Sequence, residues 1–166
     1  MTLQDYAAEF AKKIYVKPEH IRITPDLNDK FVVKEDETQV GPYLDEKGFL
    51  ETNGRSFRVE YFREFHNVWC DLHTFRLVGL PGCCGVCVST EAYTSTLFRG
   101  KGVNQLGNQL RESIAKAYGY STILATTISD NVPERNTLYK RGFKEVHAFR
   151  NRRTANNINV YVKSIA

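Results

Sequence analysis

The residues with the clearest chemical potential form a short glycine-containing turn, Arg99-Gly-Lys-Gly102, between two regular stretches of the chain. A turn that leads into a helix leaves several backbone N–H groups unpaired at the positive end of the helix dipole. Such N–H groups bind phosphate. Arg99 and Lys101 add positive charge beside them. The sequence therefore predicts an anion-binding turn at this position.

The stretches before and after this turn have the periodicity of regular secondary structure. Residues 86–96 alternate two sets of side chains rich in β-formers, which predicts a strand. After the turn, apolar residues recur at three- and four-residue steps and predict one face of an amphipathic helix. These residues are Val103, Leu106, Leu110, Ile114 and Ala117. The predicted unit is strand, turn, helix.

More regular elements are predicted after this unit. An apolar and β-branched run predicts an interior strand at residues 122–128. Pro133 predicts the start of a short helix that reaches Tyr139. Two final strands are predicted at residues 146–149 and 159–162. The β-α-β order predicts a parallel pair with a right-handed crossover, to which the last strands add in antiparallel fashion.

The first half of the chain has weaker patterns. Residues 3–14 predict an amphipathic helix, after which Pro18 and Pro25 are predicted to break regular structure. Residues 65–70 fit either a strand or a short helix. Asn53-Gly54 predicts a hairpin turn beside an acidic tract. Three strands are predicted here, at residues 31–33, 56–64 and 75–80.

Length and composition restrict the class of protein. A chain of 166 residues, 42% hydrophobic and 25% charged, is typical of one domain with a proper core. No apolar run approaches the roughly 20 residues of a membrane span. The first residues lack the pattern of a secretory signal. We therefore expect a cytoplasmic protein without membrane contact, whose oligomeric state is open and includes a homodimer.

The net charge of +4 is unevenly distributed. Residues 1–98 contain 11 Lys/Arg and 15 Asp/Glu, a balance of −4, whereas residues 99–166 contain 12 and 4, a balance of +8. The basic half begins at the anion-binding turn, which favours an anionic ligand. A nucleic acid is the less favoured alternative, because the basic residues are scattered without an interleaved aromatic platform.

Two motifs together resemble the GNAT acetyltransferases. Arg99-Gly-Lys-Gly102-Val-Asn104 resembles their acyl-CoA signature, Q/R-x-x-G-x-G/A. Asp130-Asn131 followed by Leu138-Tyr139-Lys-Arg-Gly142-Phe143 resembles the ending "N…LY-x-x-GF" of the same family. The resemblance covers about residues 84–147. No resemblance is recognised before residue 80.

The resemblance implies a fold and an activity. The fold is a single α+β (mixed α/β) domain over residues 1–166, with a central, mostly antiparallel twisted sheet flanked by helices. One parallel pair of strands is splayed at the acyl-CoA site. The activity is an acyl-CoA-dependent N-acyltransferase that transfers acetyl from acetyl-CoA to a small-molecule or protein amine. The amine attacks the thioester directly.

The resemblance also assigns roles to residues. Tyr139 would protonate the departing thiolate, and Glu91, on the strand beside the cleft, is the first candidate for the general base. His73 and His66 are further candidates because histidine titrates near neutrality. The cofactor would be bound by Leu97, Arg99, Gly100, Lys101, Gly102, Val103, Asn104 and Asn131.

The sequence departs from the family pattern at two places. Asn104 stands where the family has Gly or Ala, and the spacing from Asn131 to Tyr139 is one residue longer than usual. These departures leave a second hypothesis open, a GNAT-like binding or structural module without transferase activity. The basic segment 150–153 fits either a contact to the adenosine 3′-phosphate or an acidic substrate, or a solvated loop.

Four residues have a spacing that zinc ligands can have. They are Cys70, His73, Cys84 and Cys87, with Cys83 to spare. Free cysteines in a reducing compartment, behaving as small buried hydrophobes, are the favoured interpretation. We therefore expect no metal.

Overall fold

The computed structural model describes residues 2–25 and 55–166. The strand predicted at residues 31–33, the acidic tract and the hairpin turn at Asn53-Gly54 lie outside them. The helices are α1 (Leu3–Lys13), α2 (Val103–Ala117) and α3 (Val132–Lys140). The strands are β1 (Ile21–Pro25), β2 (Arg55–Arg63), β3 (Val68–Gly79), β4 (Val86–Thr94), β5 (Thr122–Ile128), β6 (Lys144–Arg150) and β7 (Asn157–Ser164).

The described strands form one sheet in the order β1-β2-β3-β4-β5-β7-β6. Only β4 and β5 pair in parallel, and the other neighbours are antiparallel. The predicted fold class, a mixed α+β domain with a mostly antiparallel sheet and one parallel pair, is therefore confirmed. α1 packs on β1 and α2, and α2 packs on β3 and β4.

The parallel pair is splayed. Its pairing begins at Val86 opposite Thr122 and ends at Ser89 opposite Ala125. Both strands continue further, β4 to Thr94 and β5 to Ile128. Because the backbone groups beyond Ser89 do not pair across this gap, the two strands part and leave an opening at their carboxyl ends.

A bulge bends β4 at the start of this opening. Thr74 of β3 pairs with Tyr93, but Arg76 pairs with Thr90, so two residues of β4 lie opposite one residue of β3. The first of the two is Glu91, whose φ of +55° is in the left-handed region. An extra residue of this kind increases the local twist and redirects the strand.

The core lies between the sheet and the first two helices. α1 begins with a capping box, in which the Thr2 side chain accepts from the Asp5 N–H and the Asp5 carboxylate accepts from the Thr2 N–H. Its predicted apolar face is buried, through Leu3, Tyr6, Ala7 and Phe10. On the neighbouring strands β2 and β3, Phe57 and Phe75 stack with ring centroids 5.2 Å apart. Such a pair adds stability beyond its buried area.

Two predictions for the first half need correction or completion. Residues 21–25 form β1, so the predicted break between Pro18 and Pro25 is wrong. Among the described strands β1 lies at the edge of the sheet and Pro25 is its last residue, a position where the missing N–H is tolerated. Residues 65–70 combine both alternatives, because a short 3-10 helix at Glu64–His66 precedes β3.

The elements predicted after residue 85 are confirmed within a few residues at their ends. No helix in residues 2–25 or 55–166 is long and apolar enough to span a membrane.

Candidate functional site

A cleft of about 660 Å³ lies at the end of β4, beyond its pairing with β5. Three elements build it: the end of β4, the glycine turn with the start of α2, and the start of α3. The residues that line it are Ala92, Tyr93, Thr94, Arg99, Gly100, Gly102, Asn104, Gln105, Asn131, Pro133, Glu134 and Thr137. The predicted anion-binding turn therefore lines the cleft.

The glycines of the turn are needed for their backbone angles. Gly100 and Gly102 have φ of +76° and +78°, and a Cβ added to either would meet nothing within 4 Å. A side chain there would be strained by conformation and not by crowding. Gly102 is the N-cap of α2 and has no side chain with which to cap it. The N–H groups of the first turn of α2 thus remain available to an anion.

Arg99 is held at the rim of the cleft. Its Nε donates to the backbone oxygen of Thr94 at 3.2 Å, and its guanidinium lies 5.4 Å from the centroid of the Tyr93 ring. These contacts direct its charge toward the cleft that it lines. Lys101 is exposed and extends instead over the Phe98 ring, at 5.7 Å from the centroid.

Asn104 points its side chain across the cleft. Its Nδ2 donates to Oε2 of Glu134, on the first turn of α3, at 2.6 Å. Asn131 is the N-cap of α3, and its side chain accepts from the Glu134 N–H at 3.3 Å. The two helix starts are therefore joined by side chains at the place where the sequence departs from the family pattern.

A buried guanidinium lies beneath these residues. Arg111 of α2 donates to the Ser89 hydroxyl at 2.9 Å and to the Asn108 side chain, and it lies 3.9 Å from Glu134. Burial lowers the pKa of Arg111 to about 10, against the opposite effect of Glu134 and Glu112. The group keeps its charge at neutral pH and lies beneath Glu134, outside the residues that line the cleft.

His73 belongs to the core and not to the cleft surface. Its Nδ1 lies 2.9 Å from the Thr94 hydroxyl, and its Nε2 is buried without a hydrogen-bond partner among the described residues. Burial, and next the charge of Arg111, lower the pKa of His73 to about 3. The imidazole is therefore neutral and packs against α2 at Gly107. His66, the other candidate base, is exposed on the short helix between β2 and β3.

Tyr139 lies on the last turn of α3 and is 48% exposed. Its ring packs edge-on against Tyr161, with centroids 5.7 Å apart. Arg135 donates to the Tyr161 hydroxyl at 3.1 Å and also hydrogen-bonds Tyr139. Burial raises the pKa of Tyr161, whereas the bond from Arg135 lowers it. Tyr139 is not among the residues that line the cleft.

The remaining predicted site residues are distributed as follows. Glu91 is exposed on the bulge and precedes the first cleft-lining residue of β4. Leu97 is exposed on a 3-10 turn. Val103 is buried in the core, so only its backbone could meet a ligand. Of the predicted cofactor-binding residues, the cleft brings together Arg99, Gly100, Gly102, Asn104 and Asn131.

The cysteines do not assemble with His73. Cys87 is buried in β4, and burial raises its pKa to about 12, while Cys83 and Cys84 are exposed in the preceding turn. In residues 2–25 and 55–166, no three His, Cys, Asp or Glu side chains are grouped to hold a metal ion. The zinc alternative has no support in this arrangement.

Sequence reasoning missed Glu134, Arg111 and Thr94 as residues of the site. Arg111 had a signal, because it lies four residues after Gly107 and therefore on the same face of α2. Glu134 has the pattern of an ordinary acidic residue in the first turn of a helix, where the helix dipole favours negative charge. Its contact with Asn104 joins residues 30 positions apart and has no local signature.

No family model matches the sequence, and no curated protein matches it either. Solved structures match the fold. An acetyltransferase of the GNAT family from Bacillus anthracis matches with a TM-score of 0.54 and 15% identity, over 66% of each chain. An N-acetyltransferase from Staphylococcus aureus matches with a TM-score of 0.55 and 17% identity, over 68% of each chain.

An IAA acetyltransferase from Bacillus cereus matches with a TM-score of 0.54 and 12% identity, over 67% of this chain and 77% of that one. At such identities the likeness concerns the fold. The chain thus has the fold of the GNAT acetyltransferases, as the two motifs predicted.

Proposed function

We propose that this protein is an acyl-CoA-dependent N-acyltransferase of the GNAT type, with acetyl-CoA as the acyl donor and an amine as the acceptor. One observation carries the proposal. The uncapped start of α2 and the guanidinium of Arg99 line a single cleft together with the end of β4, beyond the point where β4 stops pairing with β5. An extended ligand with an anionic end and a neutral arm fits such a cleft.

The residues of the cleft fit the proposed donor part by part. The backbone N–H groups that follow Gly102, together with Arg99, are the proposed ligands of the diphosphate. Beyond Ser89 and Ala125, β4 and β5 do not pair with each other, and we propose that backbone groups on the facing edges bind the amides of the arm. Asn131, at the start of α3, is proposed to contact the same arm.

The proposed reaction needs two proton transfers. Acetyl-CoA supplies an activated thioester. The acceptor nitrogen forms the new C–N bond as the C–S bond breaks, and no enzyme-bound acyl group is formed. We propose that Glu91 takes the proton from the amine, and that Tyr139 gives its proton to the leaving thiolate. Both assignments rest on position: Glu91 adjoins the cleft residues of β4, and Tyr139 lies on the helix whose first turn lines the cleft.

Thiol release during incubation with acetyl-CoA and a panel of amines tests the proposal. Small polyamines, amino acids and peptides with free amino groups should be included. Release that depends on one class of amine, and an acetylated product of the expected mass, are the predicted results. If no amine gave release above the enzyme-free rate, transferase activity would be rejected.

The second hypothesis, a GNAT-like binding module without catalysis, is favoured by the contact between Asn104 and Glu134. It predicts that CoA binds but that no amine is acetylated. A nucleic-acid-associated protein has only the basic second half of the chain in its favour. DNA retention that does not weaken with rising salt would reject it.

We further propose that the protein acts in the cytoplasm. The four cysteines of the chain are all free thiols, in agreement with a reducing compartment.

A further inference from the structure

Glu134 places a carboxylate beside the groups that would hold a phosphate. It lies on the first turn of α3, lines the cleft, and has a side chain that is 19% exposed. Its Oε2 accepts from Nδ2 of Asn104, in the first turn of α2. The carboxylate is therefore fixed by a hydrogen bond next to the uncapped N–H groups of α2.

The charge of Glu134 is only partly compensated. Among the described residues that line the cleft, Arg99 and Glu134 are the charged ones. Arg111 forms an ion pair with Glu134 from below at 3.9 Å, without a hydrogen bond between them. Its guanidinium is bonded instead to Ser89 and Asn108. A negative charge thus faces the cleft at its anion-binding end.

We infer that Glu134 determines which acyl donor the cleft prefers, by weakening the binding of donors in proportion to the negative charge that they place at the start of α2. The inference rests on the proposed function. Like charges in a partly water-excluded cleft repel each other more strongly than in water. The diphosphate of CoA places negative charge at the start of α2, whereas pantetheine has no phosphate, so CoA is disfavoured more than pantetheine.

The inference is tested by the dissociation constant of CoA for the wild-type protein, E134Q and E134A. Gln keeps an oxygen that can accept from Asn104, whereas Ala does not, so the pair separates the charge from the hydrogen bond. Both variants should bind CoA about tenfold more tightly, because removal of one nearby charge is worth about a decade of affinity in such surroundings. The matched control is E19Q, which removes the same charge from an exposed residue of the 3-10 helix before β1.

Two further arms distinguish repulsion from an indirect effect. The gain should become smaller in roughly 0.5 M salt, because salt screens the repulsion, although less for a partly buried carboxylate than for an exposed one. For pantetheine, followed by ligand-observed NMR to reach millimolar affinities, the gain should be much smaller than for CoA. E19Q should match the wild-type protein with both ligands.

The outcomes separate the inference from the proposed function. If CoA bound the wild-type protein but neither variant bound it more tightly, the role of Glu134 would be rejected and the proposed function retained. Weaker binding by E134A together with unchanged binding by E134Q would give Glu134 a purely structural role. If CoA bound to none of the proteins at millimolar concentration, the proposed function would fail and the inference with it.

Discussion

Replacement of Gly107 in α2 by alanine, which adds a single methyl group, should lower the free energy of unfolding markedly. Gly107 faces the buried ring of His73. A Cβ built on Gly107 would lie 2.6 Å from both Cδ2 and Cε1 of that ring and closer still to Nε2. Ordinary contacts between carbon atoms are about 3.5–4.0 Å. In Gly107→Ala, therefore, either the ring or the helix must move.

The His73 ring has little freedom to move. Its Nδ1 is bonded to the Thr94 hydroxyl at 2.9 Å, and its centroid lies 6.0 Å from that of Phe75. Overpacking of this kind costs about 1–3 kcal/mol, and loss of the hydrogen bond would add about 1 kcal/mol. Alanine favours a helix over glycine by about 1 kcal/mol. The expected net loss of unfolding free energy is about 1–3 kcal/mol.

Urea denaturation followed by circular dichroism measures this loss. The matched control is the same substitution in a His73→Ala background, where the ring is gone and the new methyl group has room. In that background Gly107→Ala should be neutral or stabilising by up to about 1 kcal/mol. The reasoning would be refuted if Gly107→Ala had the stability of the wild-type protein, or cost the same in both backgrounds.

Three other predictions concern charge, pH and catalysis. Arg99→Glu should weaken CoA binding by about tenfold or more in calorimetry, because it reverses a charge at the cleft, whereas Arg58→Glu, on the exposed part of β2, should not. Burial, and then a neighbouring guanidinium, lower the pKa of His73 to about 3, so the unfolded chain binds this proton more readily. Unfolding free energy should fall by about 2 kcal/mol between pH 7 and pH 5 on account of this residue, and urea titrations of His73→Asn should show a smaller fall. Tyr139→Phe should lower kcat about 100-fold without changing CoA affinity. The control Tyr15→Phe, at a surface position, should change neither. Equal turnover by both variants would exclude Tyr139 as the general acid.

The strand, turn and helix around the glycine turn could be predicted because their signals are local. The period of two before Arg99 and the helical spacing from Val103 onward depend on neighbours a few residues away. The same holds for α3, because Pro133 indicates its start and Gly142 indicates its end. The parallel pair followed from the order of these elements, since a β-α-β crossover leaves few alternatives.

The features that give the cleft its character depend on contacts between distant segments. The contact of Asn104 with Glu134 and the burial of His73 under α2 are set by the packing of the helix starts and the sheet. The bulge at Glu91 arises from the register of β3 against β4, which alternation in one strand does not reveal. β1 was missed because a strand of five residues that ends in a proline is too short for a periodic signal.

The central claim is that the start of α2 holds the diphosphate of an acyl-CoA. The most direct measurement is an amide NMR titration of the 15N-labelled protein with CoA. Binding should shift the N–H resonances of residues 102–105 first and most strongly, with smaller changes along the unpaired ends of β4 and β5. If saturating CoA left the resonances of residues 102–105 in place, or shifted only residues far from the cleft, the claim would be contradicted.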